Sequence, residues 1–217
     1  MAVKVSSYNP EIFNTLSHFE TAKILVDNLE STLYSSNIKS ILYRYGYQDA
    51  LGICLLHKHF DLSESEVLVE TINGNTSTLT PMKQSQEVVP YMWKVSPDIG
   101  NYTLYPLEFV QKTQMNLPNI LADQEFLYEI CSELRRLQLT EVVGLTFLHR
   151  THITENGEGT HEFTDEIQRT LTVLPSSVAN KLPGIDSHET TRTLWEFGKY
   201  RENAACRHCR HCTHTKK

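Results

Sequence analysis

The sequence predicts an α+β fold: a mostly antiparallel sheet with a long N-terminal helix, a second helix packed on the sheet, and a flexible C-terminal Cys/His tail. Three observations lead there. Apolar residues recur at clear helical spacing near the N-terminus and again between residues 123 and 138. Between and after these stretches lie short runs rich in β-branched and aromatic residues, punctuated by Asn-Gly and by prolines. Strands and helices do not alternate regularly, which argues against a doubly wound parallel sheet.

Each element follows from its own residues. Asn9-Pro10-Glu11 reads as N-cap, first-turn proline and first-turn acid. Ile12, Leu16, Phe19, Val26, Leu29 and Leu33 continue one stripe, so residues 10–34 are predicted as a single amphipathic helix, ended by Ser35-Ser36-Asn37. Ala50 to Phe60 is apolar enough for a buried strand. Asp61 to Glu64 is a turn, and Val67 to Ile72 returns as a second strand, so the two are expected to pair as a hairpin. Ser63-x-x-Glu66 also fits a helix capping box, but the β-branched residues that follow favour the strand.

Asn73-Gly74 signals a type I′ turn into a third strand over Thr76 to Thr80. Val88 to Val95 and Tyr102 to Gln111 are two more. Pro81, Pro90, Pro97 and Pro106 predict that the strands here are short or lie at edges. Asp123 caps the second helix. Phe126, Leu127, Ile130, Leu134 and Leu137 form its apolar face, and Arg135 and Arg136 suit the negative end of its dipole. Glu141 to Arg150 is a strand, Glu155 to Gly159 an open loop, and Phe163 to Leu174 a returning strand. Pro175 to Gly184 is loop, and Ser187 caps a short last helix around Leu194, Trp195 and Phe197.

With 217 residues, 40% hydrophobic and 21% charged, residues 1–205 suffice for one domain with its own core, and 206–217 form a separate basic tail. No apolar run approaches the roughly 20 residues that span a bilayer. The N-terminus lacks the apolar segment of a signal peptide, so the cytosol or nucleus is the expected compartment. The sequons Asn75-Thr76-Ser77 and Asn101-Tyr102-Thr103 are then chance matches. Of the net charge of −6, residues 199–217 contribute six basic residues against one acid, +5, which leaves −11 on the rest. The acidic body is poorly suited to a nucleic-acid backbone. The basic tail suits an acidic partner. No phosphate-loop, dinucleotide-binding, H-E-x-x-H or G-x-S-x-G motif is present, which argues against ATP hydrolysis, Rossmann cofactor use and α/β-hydrolase chemistry.

Two groups of residues carry candidate chemistry. In the tail, Cys206, Cys209 and Cys212 stand at intervals of three, each followed two residues later by a histidine. Three thiolates and His214 would complete a tetrahedral zinc site. Cu(I) would accept the thiolates alone, and an iron–sulfur cluster would need a ligand from elsewhere. A c-type haem is disfavoured because Arg210 and Thr213, not histidine, follow the second cysteines. Cys54 and Cys131 lie among apolar neighbours and read as inert core thiols.

The second group is an internal echo. Gly52-Ile53-Cys54-Leu55-Leu56-His57-Lys58 lies over Gly144-Leu145-Thr146-Phe147-Leu148-His149-Arg150, and both are followed by a further histidine, His59 and His152. Strand alternation puts His57 and His59 on one face, and a neighbouring strand in equivalent register would bring His149 to about 5 Å. His57, His59 and His149 are therefore an alternative ligand set for Zn, Fe or Mn, with Glu70, Glu162 or Asp165 as carboxylate. Two functions result: a metal-handling or interaction module working through its tail, or a metal-dependent, hydrolase-type enzyme at the echoed strands.

Overall fold

The structure is a computed structural model, and it describes residues 2–26, 28–114, 117–150, 159–182, 190–198 and, by backbone alone, 210–213. It is dominated by one large curled sheet of twelve strands among the described residues. These are β1 (Val3–Val5), β2 (Leu51–Leu55), β3 (Glu66–Asn73), β4 (Thr76–Lys83), β5 (Val88–Asp98), β6 (Asn101–Gln111), β7 (Val143–Phe147), β8 (Thr160–Asp165), β9 (Thr170–Pro175), β10 (Thr191–Arg192), β11 (Leu194–Trp195) and β12 (Arg210–Thr213). The helices are short: α1 (Pro10–Asn14), α2 (Phe19–Ala22), α3 (Leu29–Ser35), α4 (Ile38–Tyr45), α5 (Gln124–Arg136) and α6 (Ser176–Ala179).

The fold class the sequence predicts is corrected on two points. First, there is no long N-terminal helix. The stripe is partly right, for Leu16, Phe19, Leu29 and Leu33 are buried while Ile12 and Val26 are half-buried and the unpredicted Phe13 is fully buried, but the chain zigzags through α1, α2, a turn of 3₁₀ helix over Lys23–Leu25, and α3. The break after α1 has a visible cause. Lys58 takes the carbonyl of Asn14 with its ammonium at 2.6 Å and that of Ser17 with its backbone N–H at 2.9 Å. The Asn14 amide meanwhile brackets Leu62, donating to its carbonyl and accepting from its N–H, each at 2.8 Å. Carbonyls drawn into tertiary bonds cannot extend a helix. The many Asn, Ser and Thr residues here also bond their own backbone, as Thr15 does to Ile12 and Thr32 to Asn28.

Second, the sheet is mixed. It runs β10-β12-β8-β9-β4-β3-β6-β5-β7-β2-β11, with β1 added on β6. The pairs β1·β6, β3·β6 and β12·β8 are parallel. The expected hairpin from residues 50–60 to 67–72 does not form. Instead β2 pairs with β7 and β11, and β3 with β4 and β6. The β3–β4 hairpin does form, but Asn73 pairs opposite Thr76 and the two loop residues are Gly74 and Asn75; Gly74 alone takes a positive φ, 62°, the pattern of a type II′ turn and not the expected type I′.

The prolines do not confine their strands to edges. β5 and β6 are eleven residues each and central. Pro90 borders a bulge that leaves Tyr91 out of register with β6. Pro106 falls in the gap on β6 between its ladder with β1, ending at Leu104, and its ladder with β3, starting at Glu108, where no amide donor is required. Residues 163–174 are a hairpin, β8 to β9, not one strand. Leu194 and Trp195 are strand β11 where a last helix is expected.

The main core joins both sides of β2 and β7 to α5, whose Phe126, Leu127, Ile130 and Leu134 are fully buried. A small second cluster, Val67, Val69 and Phe109 with Tyr8 laid edge-on at 5.2 Å, covers the other face of β3 and β6. The two ends of the strand order, β10 and β11, are separated in sequence by Thr193 alone. The chain therefore bridges one end of the sheet to the other, and the curl encloses one face.

Candidate functional site

Register decides which side chains share that inner face. Opposed residues on paired strands point the same way, so Glu70, Leu79, Ser77, Val173, Glu162, Leu171 and Thr164 form one continuous surface across β3, β4, β9 and β8. Three carboxylates are buried in the body of the protein on these and neighbouring strands: Glu70 at 0%, Glu162 at 1% and Glu108 at 4% exposure. Buried acids require partners, and the segment leaving β7 together with side chains on β4 and β5 supplies them.

Beyond β7, His149 and Arg150 turn inward. Arg150 clamps Glu70 with two parallel hydrogen bonds, Nε to Oε1 at 2.8 Å and Nη2 to Oε2 at 2.9 Å, and extends Nη1 to Glu162 at 2.7 Å. His149 donates from Nε2 to Glu70 at 2.9 Å and from Nδ1 to the Phe147 carbonyl at 3.1 Å. Both ring nitrogens thus face protein oxygens, which fixes the ring in place. The Ser77 hydroxyl adds a fourth donor to Glu70. Burial alone would raise the Glu70 pKa, but the charges of Arg150 and His149 and their hydrogen bonds outweigh it and hold the group well below the ordinary carboxylate range. The bulge in β5 turns Tyr91 onto this network. Its hydroxyl donates to Glu108, and its ring lies 4.3 Å from that of His149. A cavity of about 20 Å³ borders Tyr91, His149, Arg150 and Thr160, roughly the space of one water.

Beyond β2, His57 and His59 also turn inward. The two rings lie 4.7 Å apart. His57 Nδ1 bonds the Leu55 carbonyl at 3.0 Å, and His59 Nδ1 bonds the Thr164 hydroxyl at 2.9 Å, across the curl on β8. His57, His59 and Glu162 bring potential ligand atoms to within 4.8 Å of one another. Arg150 thus sits between two groups, the Glu70–His149 pair on one side and the His57–His59–Glu162 cluster on the other.

His149 does not join His57 and His59 on adjoining strands in equivalent register. β2 and β7 are antiparallel, with Leu51 opposite Phe147 and Leu55 opposite Val143, so the two histidines leave the pair at opposite ends. Glu162 stands in the cluster instead, and Glu70 is engaged by His149. Asp165 lies at the end of β8, where its side chain accepts from the N–H groups of Ile167 and Gln168 in the hairpin turn. Cys206, Cys209 and His214 lie outside the described residues. Cys212 falls on β12, its backbone in register with Glu162. Cys54 and Cys131 are buried, and burial pushes the Cys131 thiol up to about 12.

Sequence reasoning passed over Glu108, Tyr91, Arg150 and Thr164. For Glu108 a signal exists. It interrupts the apolar run Leu107-Glu108-Phe109-Val110 as Glu70 interrupts Val67-Leu68-Val69-Glu70, and an acid inside a buried strand must be partnered.

A scan of protein-family models finds no match to the chain, and searches of curated proteins and of solved structures find no similar one. No helix among the described residues is long and apolar enough to cross a membrane.

Proposed function

We propose that the protein binds a divalent transition metal through His57, His59 and Glu162, in a site of the type that supports metal-assisted hydrolysis. One observation carries the reading: two imidazoles and a carboxylate from opposite ends of the strand order converge to within 4.8 Å inside the curl. Two histidines and a carboxylate form a common ligand set for zinc or iron that leaves coordination positions open. The surroundings support it. The Nδ1 atoms of both rings are held by protein oxygens, which fixes ring orientation and would leave Nε2 to meet the metal. Arg150 orients Glu162 from behind. A metal bound here would lower the pKa of a coordinated water toward neutrality and so supply a nucleophile.

The competing location is the tail, whose Cys206-x-x-Cys209-x-x-Cys212 spacing with His214 suits zinc by itself. Metal content of the full chain purified without affinity-tag metals decides between them. With the metal in the cluster, His59→Ala and Glu162→Gln lose about one equivalent, whereas Cys206→Ser/Cys209→Ser/Cys212→Ser retains it. The opposite pattern moves the metal to the tail. A full chain that binds neither zinc, iron nor manganese tightly overturns both.

A further inference from the structure

A second cavity lies away from the histidines, enclosed by β5, β7 and the segment that follows β6. Its volume is about 300 Å³, the lower end of the range for small-molecule sites. Its walls are Trp93, Phe147, Leu117, Ile120 and Leu121 with two prolines, and Lys112 is the one charged residue among the described residues that line it. Trp93 and Phe147 meet edge to face at 5.4 Å and 75°, a rigid aromatic corner. Trp93 is 1% exposed, and among the described residues its Nε1–H has no hydrogen-bond acceptor. Pro90 and Trp93 flank the bulge in β5, the kind of irregularity that re-aims side chains beside binding sites.

We propose that this cavity binds a small aromatic carboxylate, its ring against Trp93 and Phe147 and its anion paired with Lys112. Mostly apolar walls with Asn119, a single cation and, among the described residues, no acid favour that chemistry over neutral or cationic molecules of the same shape. The inference is independent of the metal reading, since none of the proposed ligands lines the cavity.

The test uses the ¹⁵N-labelled full chain titrated with 2-naphthoate and, separately, with neutral 2-naphthamide. The chain has two tryptophans, so Trp195→Phe assigns the Trp93 indole resonance. Saturable movement of that resonance is expected with the acid, with the amide about threefold weaker, the scale of a rim ion pair. Lys112→Gln should bring the acid down to the affinity of the amide. The proposal is overturned if the Trp93 resonance does not move at millimolar 2-naphthoate, if acid and amide bind alike, or if Lys112→Gln leaves their difference intact.

Discussion

Glu70 shows how much can rest on one side chain. It is fully buried and receives hydrogen bonds from Ser77, His149 and both faces of the Arg150 fork. Glu70→Gln leaves Arg150 and His149 without their shared counter-charge, and removing one partner of a buried ion pair costs about 3–5 kcal/mol. Urea unfolding at neutral pH should show a loss of that size. The pH dependence follows from the direction of the shift. The folded pKa lies below the unfolded one, so the Glu70 contribution is complete above the ordinary carboxylate range, near 4.3, and is lost as pH falls through that range toward the lowered folded value. Glu70→Gln should flatten the acid limb of the stability profile, and a variant with an unchanged acid limb would refute the assignment. The sequence carried part of this. Glu70 and Glu162 are visible as carboxylates near the echoed histidines, but the Arg150 fork that joins them depends on a contact between residues eighty positions apart, which no local pattern encodes.

At the scale of elements, the echoed segments carry a lesson about glycine. A Cβ on Gly144 would collide with the carbonyl oxygen of Trp93, and one on Gly52 would come within 2.9 Å of that of Trp195. The two glycines let β7 and β2 approach their neighbours, so the shared Gly in the echo has a packing reason at both sites. Gly144→Ala should cost about 1–3 kcal/mol, because backbone cannot yield as a side-chain tip does; a denaturant midpoint equal to wild type would contradict this. The N-terminal helices make the complementary point. Periodicity located most of their buried residues but missed Phe13 and took their continuity wrongly, because a hydrophobic stripe records which side faces the core and not where the carbonyls find partners. Asn14→Ala removes both bonds to Leu62 and should destabilise by about 1–2 kcal/mol. Far-ultraviolet circular dichroism should show no gain in helix, since Lys58 still holds the carbonyls of Asn14 and Ser17. The β3–β4 hairpin was legible, though not its turn type, because the Asn-Gly-Asn chemistry at 73–75 is local. The parallel pairing of β3 with β6 was not, because it is set by which hairpin docks beside which.

For the whole molecule, the proposed metal would tie the segment after β2 to β8, elements far apart in strand order. An ion that binds only the folded chain stabilises it by about 2.7 kcal/mol at a hundred times its dissociation constant. Zinc at that excess should raise the melting temperature by several degrees, with the rise reversed by EDTA and absent in His59→Ala. A wild-type melt indifferent to both would count against a site at the cluster. The clasp at Thr193 has its own consequence. An open sheet of this breadth ordinarily presents two rows of unpaired N–H and C=O groups, each a template on which another chain can grow a strand. Among the described residues both ends of the strand order are two residues long and belong to one continuous segment, so neither offers a run long enough to recruit a partner. Resistance to amyloid-like growth is thus built into the corner between Arg192 and Leu194. Loosening that corner, for instance by inserting glycines beside Thr193, would uncover the flank of β2, with its apolar sequence Leu51-Gly52-Ile53-Cys54-Leu55, as a seed for aggregation.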